Sequence, residues 1–396
     1  MLKYVVSIVV LFSFGTVFAQ NQFAPSVNDA RARAMGNTVV TSATGSSAMF
    51  YNPANLSLLE GITIEFGGRV LSGEVYHRYR DNPYLNYDPH YTNHFKFTNI
   101  SIAVPLEFWD FGEDFILGIG YNSFLDFSYN FSSTMDHGSD WHPSREKITQ
   151  RGGLYTISPS VAYRFNDIIS VGFTFNESTN TLITKDKESA FDEPPIGSPS
   201  HYNYIEKYRV SATMYAAGLN IRPHNKINIG FVWKPGFTFK YSDELKPDYH
   251  SFAYGEWFIP PSWSLGMNLD ILSPFSVALE YNRRRFDFGP DHYVKPLNDC
   301  YRIGLEYRSL VDFRVGYFKD TFCDFGPYDV LPGESEGLTF GIGYSFMNIL
   351  FDVFGEISTH KIYKIMYYDL GNFGAVNNAE KEDHFVLGMS TTLTIF

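Results

Sequence analysis

The chain has 396 residues, 18% of them aromatic, and a net charge of −12. The charge argues against nucleic acid as a partner, and past residue 19 no apolar run is long enough for a helix to cross a bilayer. With 37 Phe, 28 Tyr and 32 Gly at a slightly negative mean hydropathy, the composition suits either a large soluble β-sandwich or a barrel with lipid outside and water inside.

The first element is a secretion signal. Lys3 supplies a positive start, Tyr4 to Phe14 is apolar, and Val17-Phe18-Ala19 is a small-x-small cleavage site followed by polar Gln20. No Cys follows the apolar run, which argues against a lipoprotein anchor. Residues 1–19 are therefore read as a signal peptide cleaved after Ala19, which places the mature protein in the bacterial outer membrane if the rest forms a barrel.

Residues 20–61 do not read as strands. Small residues dominate 28–37, and Ser46 and Ser47 are capping candidates ahead of a short helix that Pro53 interrupts. Joined directly to a first strand, this segment has the barrel interior as its available place, and it is read as an N-terminal hatch or plug.

From 62 to 396 the chain alternates with period two. Tyr301, Ile303, Leu305 and Tyr307 alternate with Arg302, Gly304, Glu306 and Arg308, and Leu338, Phe340, Ile342, Tyr344 and Phe346 with Thr339, Gly341, Gly343 and Ser345. About fourteen such segments can be counted: 62–78, 94–108, 115–133, 151–165, 169–187, 207–223, 227–244, 257–271, 274–288, 298–309, 311–321, 337–349, 350–363 and 383–396. Their connections alternate strictly between short and long, which matches periplasmic turns and extracellular loops and has no reason in a soluble sandwich. Hydrocarbon leaves no partner for an open sheet edge, so the expected fold is a closed antiparallel transmembrane β-barrel, with both chain ends on the periplasmic side. Segments 62–78, 115–133, 169–187 and 227–244 exceed the roughly nine to eleven residues needed to cross, and should continue as an outer rim.

The terminal Phe396 resembles the signal by which barrel-assembly machinery recognises its clients, although the apolar face of the last segment (Phe385, Leu387, Met389, Leu393, Ile395) is one step out of phase with it. Cys300 and Cys323 fall on either side of the hairpin around Ser309-Leu310. Positions summing to about 620 oppose each other there, so a disulfide between the two cysteines is expected.

Chemistry-bearing motifs are sparse. The pairs Gly118/Gly120 and Gly341/Gly343 sit in alternating strands and complete no nucleotide fingerprint. The histidines, mostly near long connections, repeat no metal-ligand spacing. No cofactor or metal is expected. The tyrosines at 84, 87 and 91 read equally as an aromatic girdle or as a catch site for a hydrophobic ligand. Arg283-Arg284-Arg285 could meet lipopolysaccharide phosphates, with a solvated strand end as the alternative. Inward charges (Glu65, Arg164, Asp270, Glu280, Arg302, Glu306, Arg314, Glu356) describe a polar lumen cross-linked by ion pairs.

The run A-R-A-M-G at Ala32–Gly36, followed by S-A-M-F-Y-N-P-A-N-L at Ser47–Leu56, resembles the N-terminal hatch of FadL-type outer-membrane proteins. The resemblance implies passive uptake of small hydrophobic molecules, such as long-chain fatty acids or aromatic hydrocarbons, with Met35, Gly36, Tyr51, Asn52, Pro53 and Ala54 as the hatch motif. It also implies that this motif lies against an inward kink of the third strand, 115–133, where Gly118, Gly120 and Asn122 mark a lateral opening into the membrane. PorV- and PorQ-like relatives in the family make a secretion or surface-attachment partner the alternative. A lipid-modifying barrel enzyme ranks behind both, because no Ser–His pair is distinguished.

Overall fold

The computed structural model describes residues 27–77, 90–91, 94–106, 114–134, 145–179, 181–190, 201–243, 254–285, 297–325, 330–366 and 376–396. The signal-peptide reading and the tyrosines at 84 and 87 lie outside these residues. The described chain opens with a short helix, α1 (Ala30–Ala34), and two 3-10 turns, Ser46–Phe50 and Pro53–Leu58.

Strands follow as β1 (Ile62–His77), β2 (His90–Tyr91), β3 (His94–Pro105), β4 (Phe115–Asp126), β5 (Tyr129–Thr134), β6 (Arg145–Arg151) and β7 (Gly153–Arg164). They continue as β8 (Ile169–Ser178), β9 (Thr181–Ala190), β10 (His201–Ser211), β11 (Thr213–His224), β12 (Ile227–Lys234), β13 (Phe237–Asp243) and β14 (Tyr254–Ile259). The last are β15 (Ser262–Leu272), β16 (Phe275–Arg285), β17 (Leu297–Tyr307), β18 (Val311–Phe325), β19 (Val330–Phe346), β20 (Ile349–Met366) and β21 (Val376–Ile395).

Fourteen of these close a single antiparallel ring, in the order β1, β3, β4, β7, β8, β11, β12, then β15 through β21. The two ends of the chain seal it, with Ile62 opposite Ile395 and the ladder continuing to His77 opposite Glu380. Closure leaves no edge among these strands at the sealed end, as hydrocarbon requires. The expected barrel of about fourteen strands is what the structure shows. Outward positions such as Ile100, Phe231, Leu265, Ile303 and Phe340 are exposed and apolar, whereas their neighbours along each strand are mostly Ser, Thr, Asn, Gly or paired charges.

The upper ends depart from a simple rim. The strands β5, β6, β9, β10, β13 and β14 form a second, six-stranded sheet. Each continues one of six ring strands, and the breaks line up as a crease. Phe127 N–H donates to Gly152 O at 3.0 Å, and Ser178 N–H to Ala212 O at 3.1 Å across it. Its causes are local: Gly152 has φ of +127°, and Pro235, Pro260 and Pro261 sit at the crease where a proline has no N–H for a ladder. The strand β6 was expected as part of a long connection; its charged sequence REKITQR carries no apolar face because it lies beyond the ring.

The disulfide expectation fails. The hairpin register sums to 620, with Cys300 opposite Asp320, and Cys300 is a free, buried cysteine. Cys323 lies three residues further along β18, where it pairs with Pro332 on β19. Three residues span about 10 Å of strand, beyond the Cα separation of ~7 Å that a disulfide can bridge.

Candidate functional site

The described part of the N-terminal segment, residues 27–61, lies inside the ring, because lumen-facing positions on all sides meet it. A Cβ at Gly172 or Gly218 would strike Pro53 or Asn52, one at Gly230 or Gly266 would strike Val40, and one at Gly304 or Gly341 would strike Met35 or Ala34. Strands carrying glycine can therefore touch the segment backbone to backbone. Gly36 needs its own lack of a side chain twice over: φ is +69°, and an added Cβ would sit 2.7 Å from Tyr317 O.

Within the segment, Asn52 caps the turn Pro53–Leu58 by accepting from Ala54 N–H at 3.2 Å, and its amide donates to Val40 O at 2.9 Å. Asn55 donates to Val40 O and Ala43 O and accepts from Asn220 at 2.7 Å, so the motif binds its own chain and the wall at once. Tyr51 Oη accepts from Asn28 N–H. Asp29 caps α1 through Ala32 N–H at 2.7 Å and accepts from Ser47 Oγ at 3.0 Å. Burial nonetheless pushes the Asp29 carboxyl above its ordinary range.

From β16 round to β20 the grip is ionic. Arg31 makes a two-pronged contact to Glu306 at 2.9 and 2.7 Å, and Arg314 bridges Glu306 at 2.7 Å and Asp352 at 2.5 Å. Arg33 pairs with Glu356 at 2.9 Å. Glu280 accepts from Val39 and Val40 N–H at 2.6 and 2.8 Å while Arg302 holds it at 3.0 Å. Thr339 Oγ1 receives Gly36 N–H at 2.8 Å and donates to Ala34 O at 2.9 Å. Arg164 and Asp270, also expected inward, sit half-exposed with Asp114 and Arg308 near the short turns.

Above the segment, at the crease, the lumen turns apolar. Leu125, Phe127, Leu154, Ile183, Val210, Met214, Phe239 and Ile259 form one buried cluster. Val210, Ala212, Met214 and Ala216 alternate on the same face as Gly218 and Asn220, which touch the N-terminal segment, so the cluster faces inward. Phe127 and Phe239 meet edge to face at 6.0 Å, and Phe124 and Phe237 at 6.3 Å. Beside it, Lys234, Ser262 and Arg284 stand on one rung across β12, β15 and β16. Lys234 has no acidic partner within ion-pair distance among the described residues.

The wall is interrupted between β3 and β4. Their ladder runs from Pro105 opposite Ile116 to Asn99 opposite Asn122, and stops. Beyond it, among the described residues, β3 pairs with β1 and β4 with β7, with bulges at Gly67/Gly68 and Ser123/Leu125. Asn28 enters from the lumen, donating to Asn122 Oδ1 at 2.8 Å and Ser123 O at 2.9 Å. Asn99 Nδ2 and Ser123 Oγ are buried without a hydrogen-bond partner among the described residues. On the outside, Phe95 and Phe97 are exposed, so the seam faces lipid.

The expected opening at Gly118, Gly120 and Asn122 meets the end of the β3–β4 ladder only at its last residue. Gly118 and Gly120 lie in unbroken ladder on both edges, with Met49 and Phe50 packed on them, and only Asn122 stands at the seam. Asn52, Pro53 and Ala54 do not face strand β4; they rest on Gly172 of β8 and Gly218 of β11. Phe396 follows the last strand, exposed, beside a cleft of about 260 Å³ that also involves Asp29, Glu65 and Asp352 at the short-turn end. Sequence reasoning missed Lys96, Arg69 and Asp126 at the seam and the apolar lumen cluster. One signal was present: Phe124-Leu125 followed by Phe127 breaks the period-two rhythm where the bulge falls. No group of acids, His and Cys suited to a metal occurs among the described residues.

A family model described as outer membrane protein transport protein (OMPP1/FadL/TodX) matches residues 13–287. No curated protein matches the sequence. Among solved structures, a Pseudomonas aeruginosa FadL homologue aligns with TM-score 0.59 at 15% identity, over 96% of this chain and 100% of that one. The P. putida toluene transporter TodX gives 0.59 at 14% identity, over 92% and 98% of the two chains. The Ralstonia pickettii toluene transporter TbuX gives 0.55 at 14%, over 93% and 98%. At such identities the likeness speaks for the fold.

Proposed function

The chain belongs to the OMPP1/FadL/TodX family of outer-membrane transport proteins, and from that premise we propose that it takes up an amphipathic hydrophobic acid and releases it sideways into the bilayer. It is an outer-membrane barrel of a hydrophobic-compound channel family, and the finer assignment rests on the lumen. The carrying observation is the inward apolar cluster at the crease, since a water-filled lumen gains nothing from phenylalanine and leucine facing in. Lys234 beside it, without an acidic partner among the described residues, offers a charge-assisted hydrogen bond to a carboxylate head. In this reading, residues 20–61 act as a hatch that blocks passage to the periplasm, so the seam between β3 and β4 is the exit. The signal peptide delivers the chain to the assembly machinery, which reads Phe396.

The test pairs two probes. Purified barrel should bind a long-chain fatty acid about tenfold more tightly than Lys234→Met does, a loss of about 1.4 kcal/mol. An alkylbenzene should bind both alike. Equal affinity of the acid for both proteins would remove the head-group assignment. Cells expressing the wild type that took up neither probe faster than cells without it would favour the secretion-partner alternative.

A further inference from the structure

At the seam, side chains stand where backbone bonds are missing. Asp126, on the last residue of β4, is 1% exposed. Its carboxylate receives Arg69 from β1 at 3.3 Å and Lys96 from β3 at 2.5 Å. Both cations are buried as well, and Lys96 Nζ also lies 5.1 Å from the centre of the Tyr155 ring on β7. A Cβ on Gly153 would come within 3.3 Å of that ammonium. Lys96 thus reaches from β3 past the end of the β3–β4 ladder to the far side of β4.

We propose that Asp126 is the latch of the lateral seam: its carboxylate ties β1 and β3 to β4 over the stretch where, among the described residues, no backbone hydrogen bond joins β3 to β4. The inference rests on the lateral-release reading and adds the residue that controls it. An ion pair suits this place because, away from water, it is strong while made and can be exchanged as a unit, whereas a ladder of backbone bonds opens only by unfolding a strand. The latch is also connected to the ligand site. Leu125 and Phe127 flank Asp126 in sequence, and both belong to the apolar cluster. A ligand that wedges into that cluster shifts the residues on either side of the carboxylate and loosens its two cations. Asn28 bonds to Ser123 O just below, so the N-terminal segment and the latch hold neighbouring points of the same seam.

The experiment reads the seam directly. Full-length protein carrying Cys300→Ser and Cys323→Ser is spin-labelled at F97C on β3 and F124C on β4, both beyond the end of the β3–β4 ladder, then placed in lipid nanodiscs. Wild-type Asp126 should give dipolar broadening between the labels. Asp126→Asn should lose most of it, Lys96→Gln should lose part, and Asp126→Glu should keep it. In parallel, entry of a fluorescent long-chain fatty acid into cells should be at least threefold faster with Asp126→Asn than with wild type at equal folded yield. Unchanged broadening in Asp126→Asn overturns the latch, whatever the uptake. Lost broadening with no uptake by either protein keeps the latch and overturns lateral transport. Should Asp126→Asn fail to fold, Lys96→Gln, which retains the Arg69 contact, decides: full broadening there overturns the latch, and partial loss supports it.

Discussion

Between β16 and β1 the lumen face carries Glu280, Arg302, Glu306, Arg314, Asp352, Glu356 and Glu65; between β7 and β11 it carries Ser158, Ser160, Gly172, Thr174, Ala216 and Gly218. Both walls hold the same N-terminal segment. The first holds it by charge, in directional contacts that fix its register. The second holds it without charge, with Pro53 and Asn52 set against strands that lack a Cβ and with neutral hydrogen bonds from Thr174 to Met49 O and from Asn220 to Asn55. Charge-assisted contacts resist sliding more strongly than close packing with a few neutral hydrogen bonds does. Any motion of the segment should therefore pivot on α1 and swing at Met49–Ala54. The seam lies where the two kinds of wall meet, between β3 and β4.

The sharpest break of that contrast is Glu306→Ala. It strips one carboxylate from Arg31, Arg308 and Arg314 together, and uncompensated buried charge costs about 3–5 kcal/mol. The expected outcome is release of α1 from an otherwise folded barrel, read as rapid tryptic cleavage after Arg31 and Arg33. Continued protection would mean that charge is not what holds the segment.

Gly218→Val attacks the other wall. The new side chain overlaps Asn52, at a cost of about 1–3 kcal/mol. Displacing that turn while α1 stays bolted should raise single-channel conductance in planar bilayers without trypsin sensitivity. A closed channel would show that the uncharged wall is not the seat of Asn52-Pro53-Ala54.

A milder effect is expected from Gly118→Val with Gly120→Val. The added carbons meet the flexible end of Met49 and the ring tip of Phe50, at 2.7 and 2.5 Å. Making room for them costs about 1–3 kcal/mol, as overpacking does. Probe uptake should stay within twofold of wild type, because the proposed exit lies above these residues; a large fall would return the proposed opening to Gly118.

The smallest effect concerns pH. Asp29 has a folded pKa raised above its unfolded value by burial, so its charged form favours release and the segment gains stability as pH falls through the folded value. Asp29→Asn keeps an N-cap and removes the charge. Amide exchange at Ala32–Ala34 should be slower in the variant than in wild type at pH 8, and equal at low pH. Identical exchange at both would place no cost on the Asp29 charge.

The strands, their number and their lipid-facing side were legible because period two is local: Ile303 and Gly304 declare their faces whichever strand lies beside them. The register of the Ser309-Leu310 hairpin was legible for the same reason, a short turn leaving little freedom. The cysteine pairing was not, since a separation of three residues along β18 looks small in sequence and is too far in space. The same holds for the site. Inward charges such as Glu306 and Arg314 could be listed from alternation, and their partners could not. Asn52-Pro53-Ala54 could be recognised, while its seat on β8 and β11 in place of β4 could not. The crease, the seam and the cluster around Asp126 arise from bulges and prolines acting on strands remote in sequence. Alternation along the chain determined which side of the wall each residue faces. Only closure of the ring decided which residues meet across it, because contact between distant strands depends on accumulated register and not on local pattern.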